Sequence, residues 1–231
     1  MSLSLSLSPW LLGVALIAIG TWVLVWLLSD KSTTDDCSVL QTIDLSGSER
    51  LEIVDDVCKE GLPHTTNGHT IRMIRSVWEG PRRDEILKHE RVHLRQKQGL
   101  AGWYEFYRRA WDYECLPSAA AVPGLPADLK ARLRPNPDTA DAPWALWRRR
   151  WLFFPAFRKD APTSLKGAEV LVWDTETHKL VEPPDDWRNV FCGSNGCPHQ
   201  YEHPHEIAAE WYSAPARSDA PAAAAFFAWM K

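Results

Sequence analysis

At 231 residues and 45% hydrophobic content, the chain has room for one good-sized domain beside a membrane anchor, or for two small domains. A net charge of −4 argues against a general nucleic-acid binder. The 17 Pro gather after residue 116 and predict a loop-rich second half, while the 13 Trp suit a core and a membrane interface alike.

Residues 1–8 form an uncharged Ser/Leu tail, and residues 9–28 continue without a single charge. About 20 helical residues at about 1.5 Å each span about 30 Å, the thickness of a bilayer's hydrocarbon core. Trp10 and Trp26 stand near the two ends, where indoles favour the interface. With no basic leader and no small-x-small cleavage site, the stretch reads as a single-pass transmembrane anchor rather than a signal peptide. Lys31 is offset by Asp30, Asp35 and Asp36, so flanking charge does not orient it. The five cysteines, Cys37, Cys58, Cys115, Cys192 and Cys197, leave at least one unpaired. Bridges of Cys37 with Cys58 and of Cys192 with Cys197 would suit an oxidising compartment, which tilts the reading toward a domain on the non-cytosolic side.

Residues 29–68 read as a linker and entry segment, with 51–57 as strand or helix, and the main domain as 69–213. Ile71 and Met73 alternate with Arg72 and predict a strand over 70–77. It leads through Glu79-Gly80-Pro81 into a helix with Pro81 in its first turn, Asp84 and Glu85 following, and Gly99 as its stop. That helix carries His89-Glu90-Arg91-Val92-His93. Four residues apart, His89 and His93 project from one helix face, a spacing suited to two nitrogen ligands on one Zn²⁺. Glu90 beside them can take a proton from water at the ion. With 8 His in the chain, about 0.02 chance matches to this pattern are expected, so coincidence is a poor account of it.

Gly99 and Gly102 break the helix, and residues 103–116 predict a second one, with Trp103, Phe106, Tyr107, Ala110 and Trp111 as a core-facing stripe. An insertion then runs over about 117–195. It opens on a Pro/Ala-rich stretch with a short helix over 127–133. At 144–159 aromatic residues interleave with Arg148, Arg149, Arg150, Arg158 and Lys159. This reads equally as a segment lying on anionic lipid or as buried aromatics with a basic rim. Residues 170–173 and 179–181 predict a β-hairpin. Residues 214–231 form an Ala/Pro-rich tail, either frayed or a docking helix.

A catalytic zinc commonly takes three protein ligands and keeps one position open. Two carboxylates compete for the third place. Glu114 stands on the predicted second helix, a helix-turn-helix return from His93, with Pro117 close behind. Glu206 opens a helix after Pro204, where Ala208 and Ala209 permit close approach, and Glu210 one turn on would orient a ligand imidazole. Cys192, Cys197, His199 and His203 form a secondary cluster. Its spacing matches no common zinc finger and favours a disulfide beside a His-rich loop.

The run His89-Glu90-Arg91-Val92-His93-Leu94-Arg95-Gln96, then Gly99 or Gly102 with Trp103 and Tyr107, and later Pro204-His205-Glu206-Ile207-Ala208-Ala209, resembles small zinc metallopeptidases of the gluzincin kind. The resemblance covers about 70–115 and 200–212. It implies an α+β, zincin-like core with Glu206 as third ligand and Glu90 as general base. Joined to the N-terminal transmembrane helix, it implies a membrane-anchored Zn²⁺ protease acting on peptide or protein substrates. The alternative is a non-catalytic, metallopeptidase-like subunit of a membrane complex, its insertion and tail serving as partner surfaces.

Overall fold

The computed structural model describes residues 37–231, apart from Pro123, Ala216 and Arg217. The tail and anchor expected over 1–28 lie outside these residues. Among the described residues no helix is long and apolar enough to cross a membrane.

The first layer is a four-stranded mixed sheet of β1 (Val39–Asp44), β2 (Arg50–Val54), β3 (His64–Thr66) and β4 (Thr70–Ile74), in the order β1-β2-β4-β3. β1 and β3 are antiparallel to their neighbours, and β2 and β4 are parallel. Past β2 the chain crosses to the far edge and returns through the three-residue connection Asn67-Gly68-His69, with Asn67 and Gly68 at positive φ. Leu51, Ile53, Ile71 and Met73 alternate inward onto an aliphatic core that includes Leu94. Of the linker and entry segment expected over 29–68, the structure describes the part from Cys37 on. The stretch from Val39 onward supplies three of the four strands, and Leu51 and Ile53 of β2 share one apolar core with Ile71 and Met73 of β4.

A single turn, α1 (Arg75–Trp78), leads to α2 (Arg83–Gln98) and α3 (Leu100–Ala110). Pro81 precedes α2 rather than opening it. Asp84 and Glu85 fall in its first turn and Gly99 ends it. Leu94 packs with the first sheet, whereas Val92 belongs to an aromatic core on the other side, so α2 is wedged between two hydrophobic layers.

That second layer is an antiparallel meander, β5 (Tyr113–Leu116), β6 (Trp144–Trp147), β7 (Trp151–Phe157), β8 (Ala168–Asp174) and β9 (Lys179–Val181), ordered as in the chain. Both faces are covered. Leu152, Phe154, Ala156 and Trp173 pack on the segment 116–133, which includes α4 (Ala127–Ala131). Tyr113, Trp147 and Phe153 face α3, α5 (Asp185–Phe191), α6 (Pro204–Ser213) and α7 (Pro221–Trp229). The indole N–H groups of Trp111, Trp147 and Trp187 donate to the Ala222 carbonyl, the Trp111 carbonyl and the Tyr113 hydroxyl, so burying these rings strands no donor.

Several expectations change here. The predicted helix over 103–116 ends at Ala110. Asp112 takes a positive φ, and the next four residues pair with β6. The aromatic-basic segment folds as a strand pair: Trp144, Trp147, Phe153 and Phe154 are buried, and Arg148 and Arg149 form the tip of the β6–β7 hairpin. The expected tail ends in α7, with Phe226 in the aromatic core. The hairpin at 170–181 forms as β8 and β9.

Candidate metal centre

The centre lies where α2 and α6 cross. Ala208 and Ala209 are fully buried, and their small side chains let the two helices approach closely. His203 caps α6: its Nδ1 accepts from the His205 N–H, and Pro204 occupies the first turn, where no intrahelical N–H partner is lost. This start aims Glu206 at the motif helix.

His89, His93 and Glu206 come together. His89 Nε2 and His93 Nε2 are 3.1 Å apart, and Glu206 Oε2 lies 3.3 Å from the first and 3.4 Å from the second. His93 and Glu206 are buried, while His89 is the partly exposed member of the three. Glu90, His93 and Asp138 form an overlapping group, also with the spacing to hold a metal ion. Burial disfavours a charged His93, but the Glu206 and Asp138 carboxylates outweigh it and raise the imidazole well above its ordinary range. Burial likewise favours a neutral Glu206, and His93 with His89 reverses this, holding the carboxyl well below the usual range. Burial and the nearby Asp138 carboxylate together push Glu90 well up, and its Oε2 has no hydrogen-bond partner. Carboxylates collected around two imidazoles in a largely buried site suit a cation at their focus.

The residues around these donors fix their orientation. Gln96, one turn beyond His93, donates from Nε2 to the Tyr107 hydroxyl (3.1 Å) and the His205 carbonyl (3.0 Å). Its Oε1 must then accept from His93 Nδ1, at 2.7 Å, which turns Nε2 toward the centre. Asn136 Nδ2 donates to Glu206 Oε1 at 2.8 Å. Asp138 accepts from the Thr65 backbone and hydroxyl and pairs with Lys97 at 3.1 Å. Gln96 stands three residues after the second motif histidine, a spacing visible in the sequence. Asn136 and Asp138 lie within the expected insertion, where nothing local connects them to residue 206.

The other predicted residues are placed elsewhere. Glu114 is exposed on β5 opposite Leu146, on the strand face opposite the one through which Tyr113 and Cys115 enter the aromatic core. It is not a ligand. Glu210 orients neither imidazole; its oxygens accept from the His199 and Gln200 backbone and bond His199 Nδ1. Cys192 and Cys197 are joined as a disulfide, so they offer no thiolates and the secondary cluster is not a metal site. Within it, His199 is exposed and His203 is buried as the α6 cap, with its Nε2 donating to the Ala142 carbonyl. Cys37 and Cys58 are also bonded, and Cys115 is the unpaired cysteine. In comparisons with known proteins the chain matches no family model, no curated protein and no solved structure.

Proposed function

We propose that this chain is a zinc metallopeptidase of the gluzincin kind, with His89, His93 and Glu206 as the metal ligands and Glu90 as the general base. The supporting observation is the three-atom focus itself. Two ligand bonds of about 2.0–2.2 Å at a tetrahedral angle leave their ends about 3.3–3.6 Å apart. The separations of 3.1, 3.3 and 3.4 Å approximate three edges of such a site. Two imidazoles and one carboxylate are a donor set known for catalytic zinc. A zinc ion bound there supplies Lewis-acid polarisation of a carbonyl and of a water.

The chain's own groups do the rest. Gln96 holds His93 with Nε2 toward the centre, and Asn136 holds Glu206. Glu90, next to His89 on α2, has one carboxylate oxygen without a partner and can accept a proton from the attacking water, then deliver it to the leaving peptide nitrogen. Residues 9–28 are read as the membrane anchor from their uncharged apolar composition, and the Cys37–Cys58 and Cys192–Cys197 bridges favour a domain on the non-cytosolic side.

The test uses the full chain purified in detergent. Metal analysis is expected to find zinc stoichiometric with protein, and mass spectrometry is expected to find new termini in a peptide mixture. Glu90→Gln should keep the zinc and slow cleavage by about 10²-fold or more. A zinc-free chain, or cleavage that survives Glu90→Gln, overturns the proposal. Bound zinc with no cleavage of any peptide would favour the non-catalytic subunit instead.

A further inference from the structure

We propose that Asn136 is a positioning residue for the metal centre: its side-chain amide holds Glu206 Oε1 so that Oε2 alone faces His89 and His93. The inference rests on the metal-binding reading above. The amide's orientation is not arbitrary. Asn136 Oδ1 accepts from the Asp138 backbone N–H at 2.9 Å, which assigns Nδ2 as the group facing Glu206 at 2.8 Å. With Oε1 engaged, the oxygen left to the imidazoles is Oε2, the atom 3.3 and 3.4 Å from their Nε2 atoms.

The backbone around Asn136 is built to hold this arrangement. The local sequence is Arg134-Pro135-Asn136-Pro137-Asp138. Each proline fixes its own φ and biases the preceding residue toward extended backbone. Pro137 and Asp138 form a turn closed by the Thr139 N–H donating to the Asn136 carbonyl, and here Pro135 and Pro137 are exposed while Asn136 and Asp138 are buried. The corner is tied at both ends. The Arg134 N–H donates to the Pro155 carbonyl on β7, and Asp138 is held by Thr65 on β3, by Lys97 on α2, and through its carbonyl by His205 on α6. Removing the amide leaves a buried carboxylate oxygen without a donor, free to swing toward the imidazoles or to rotate the group.

Zinc affinity of the full chain, measured by competition with a chromophoric chelator, tests this, together with the visible spectrum of the Co²⁺-loaded chain. Wild type, Asn136→Ala and the isosteric Asn136→Asp are compared, the last keeping the volume while replacing the donor with an acceptor. Both variants should bind zinc about 10–100-fold more weakly, the range for losing a partner that orients a ligand, with a changed Co²⁺ spectrum. If wild type binds no zinc, this inference and the metal reading fall together. If wild type binds zinc and the folded variants match it in affinity and spectrum, this inference alone is overturned. Should neither variant fold, a zinc-loaded crystal structure of the wild type decides. Glu206 bound through Oε2, with Oε1 on Asn136, supports the assignment; both oxygens on zinc overturn it.

Discussion

The mixed sheet and the meander flank α2 from opposite sides, and they serve the centre differently. The mixed sheet has a small aliphatic core of Leu51, Ile53, Ile71, Met73 and Leu94, and it supports the helix that bears His89, Glu90 and His93. The meander sits under a large aromatic core with Trp111, Trp147, Trp187, Trp211 and Phe226. It lends no ligand. Its flanking chain instead contributes Asn136 and Asp138, which hold Glu206 and tie Thr65 and Lys97. Two donors related by one helical turn can be set by local structure, whereas the groups that aim and complete them have to be carried in by a second layer.

The largest expected effect tests whether the two sides meet at one ion. His93→Ala from the motif helix and Glu206→Ala from α6 should each lose zinc by about 100-fold or more, because two remaining ligands hold the ion weakly. Equilibrium dialysis with zinc measures this; retention in either variant would separate that helix from the centre.

A second contrast concerns the two cores. Trp211→Ala removes a ring buried against Trp111 and Phe226 and should destabilise by about 3–5 kcal/mol. Ile53→Val, in the aliphatic core, should cost about 1 kcal/mol. Chemical denaturation measures both, and equal costs would deny that the aromatic layer is the more tightly committed of the two.

The meander also carries a pH-dependent tie. Asp174 at the end of β8 accepts from Arg150 through both oxygens and from the Glu176 and Thr177 backbone N–H groups. The Arg150 guanidinium, with these N–H donors, holds its carboxyl well below the usual range despite the opposing effect of burial. A depressed folded value contributes stability above the unfolded carboxyl's pKa of about 3.9 and loses it as pH falls toward the folded value. Asp174→Asn should therefore lower the thermal midpoint at pH 7, with the gap to wild type closing as pH drops below about 4. Thermal scans at pH 7 and pH 3 check this; a gap that widens in acid contradicts it.

The smallest effect is at Glu114. Exposed on β5, Glu114→Ala should leave zinc content unchanged and shift stability by no more than about 0.5 kcal/mol. A loss of zinc there would put the third ligand on the wrong element.

The sequence by itself determined the histidine pair, Glu90, the β8–β9 hairpin and the start of α6. Each of these is decided within a few residues: an i,i+4 spacing, alternation around a turn, a cap followed by Pro204. Asn67-Gly68 turns another hairpin by equally local chemistry, which the reading of 29–68 as linker and entry segment passed over. Only the tertiary structure brings Glu206, and not Glu114, to the histidine pair. Residues 113–116 extend the helix-spaced aromatic stripe that begins at Trp103, but pairing with β6 makes them a strand and leaves Glu114 exposed. The same holds for Asn136: no periodicity links it to Glu206, and only the return of the inserted sheet to α6 brings the amide and carboxylate to hydrogen-bond distance. Local chemistry settles what a short segment can do alone, while contacts between distant segments depend on which apolar faces must be buried together, and that is a property of the whole chain.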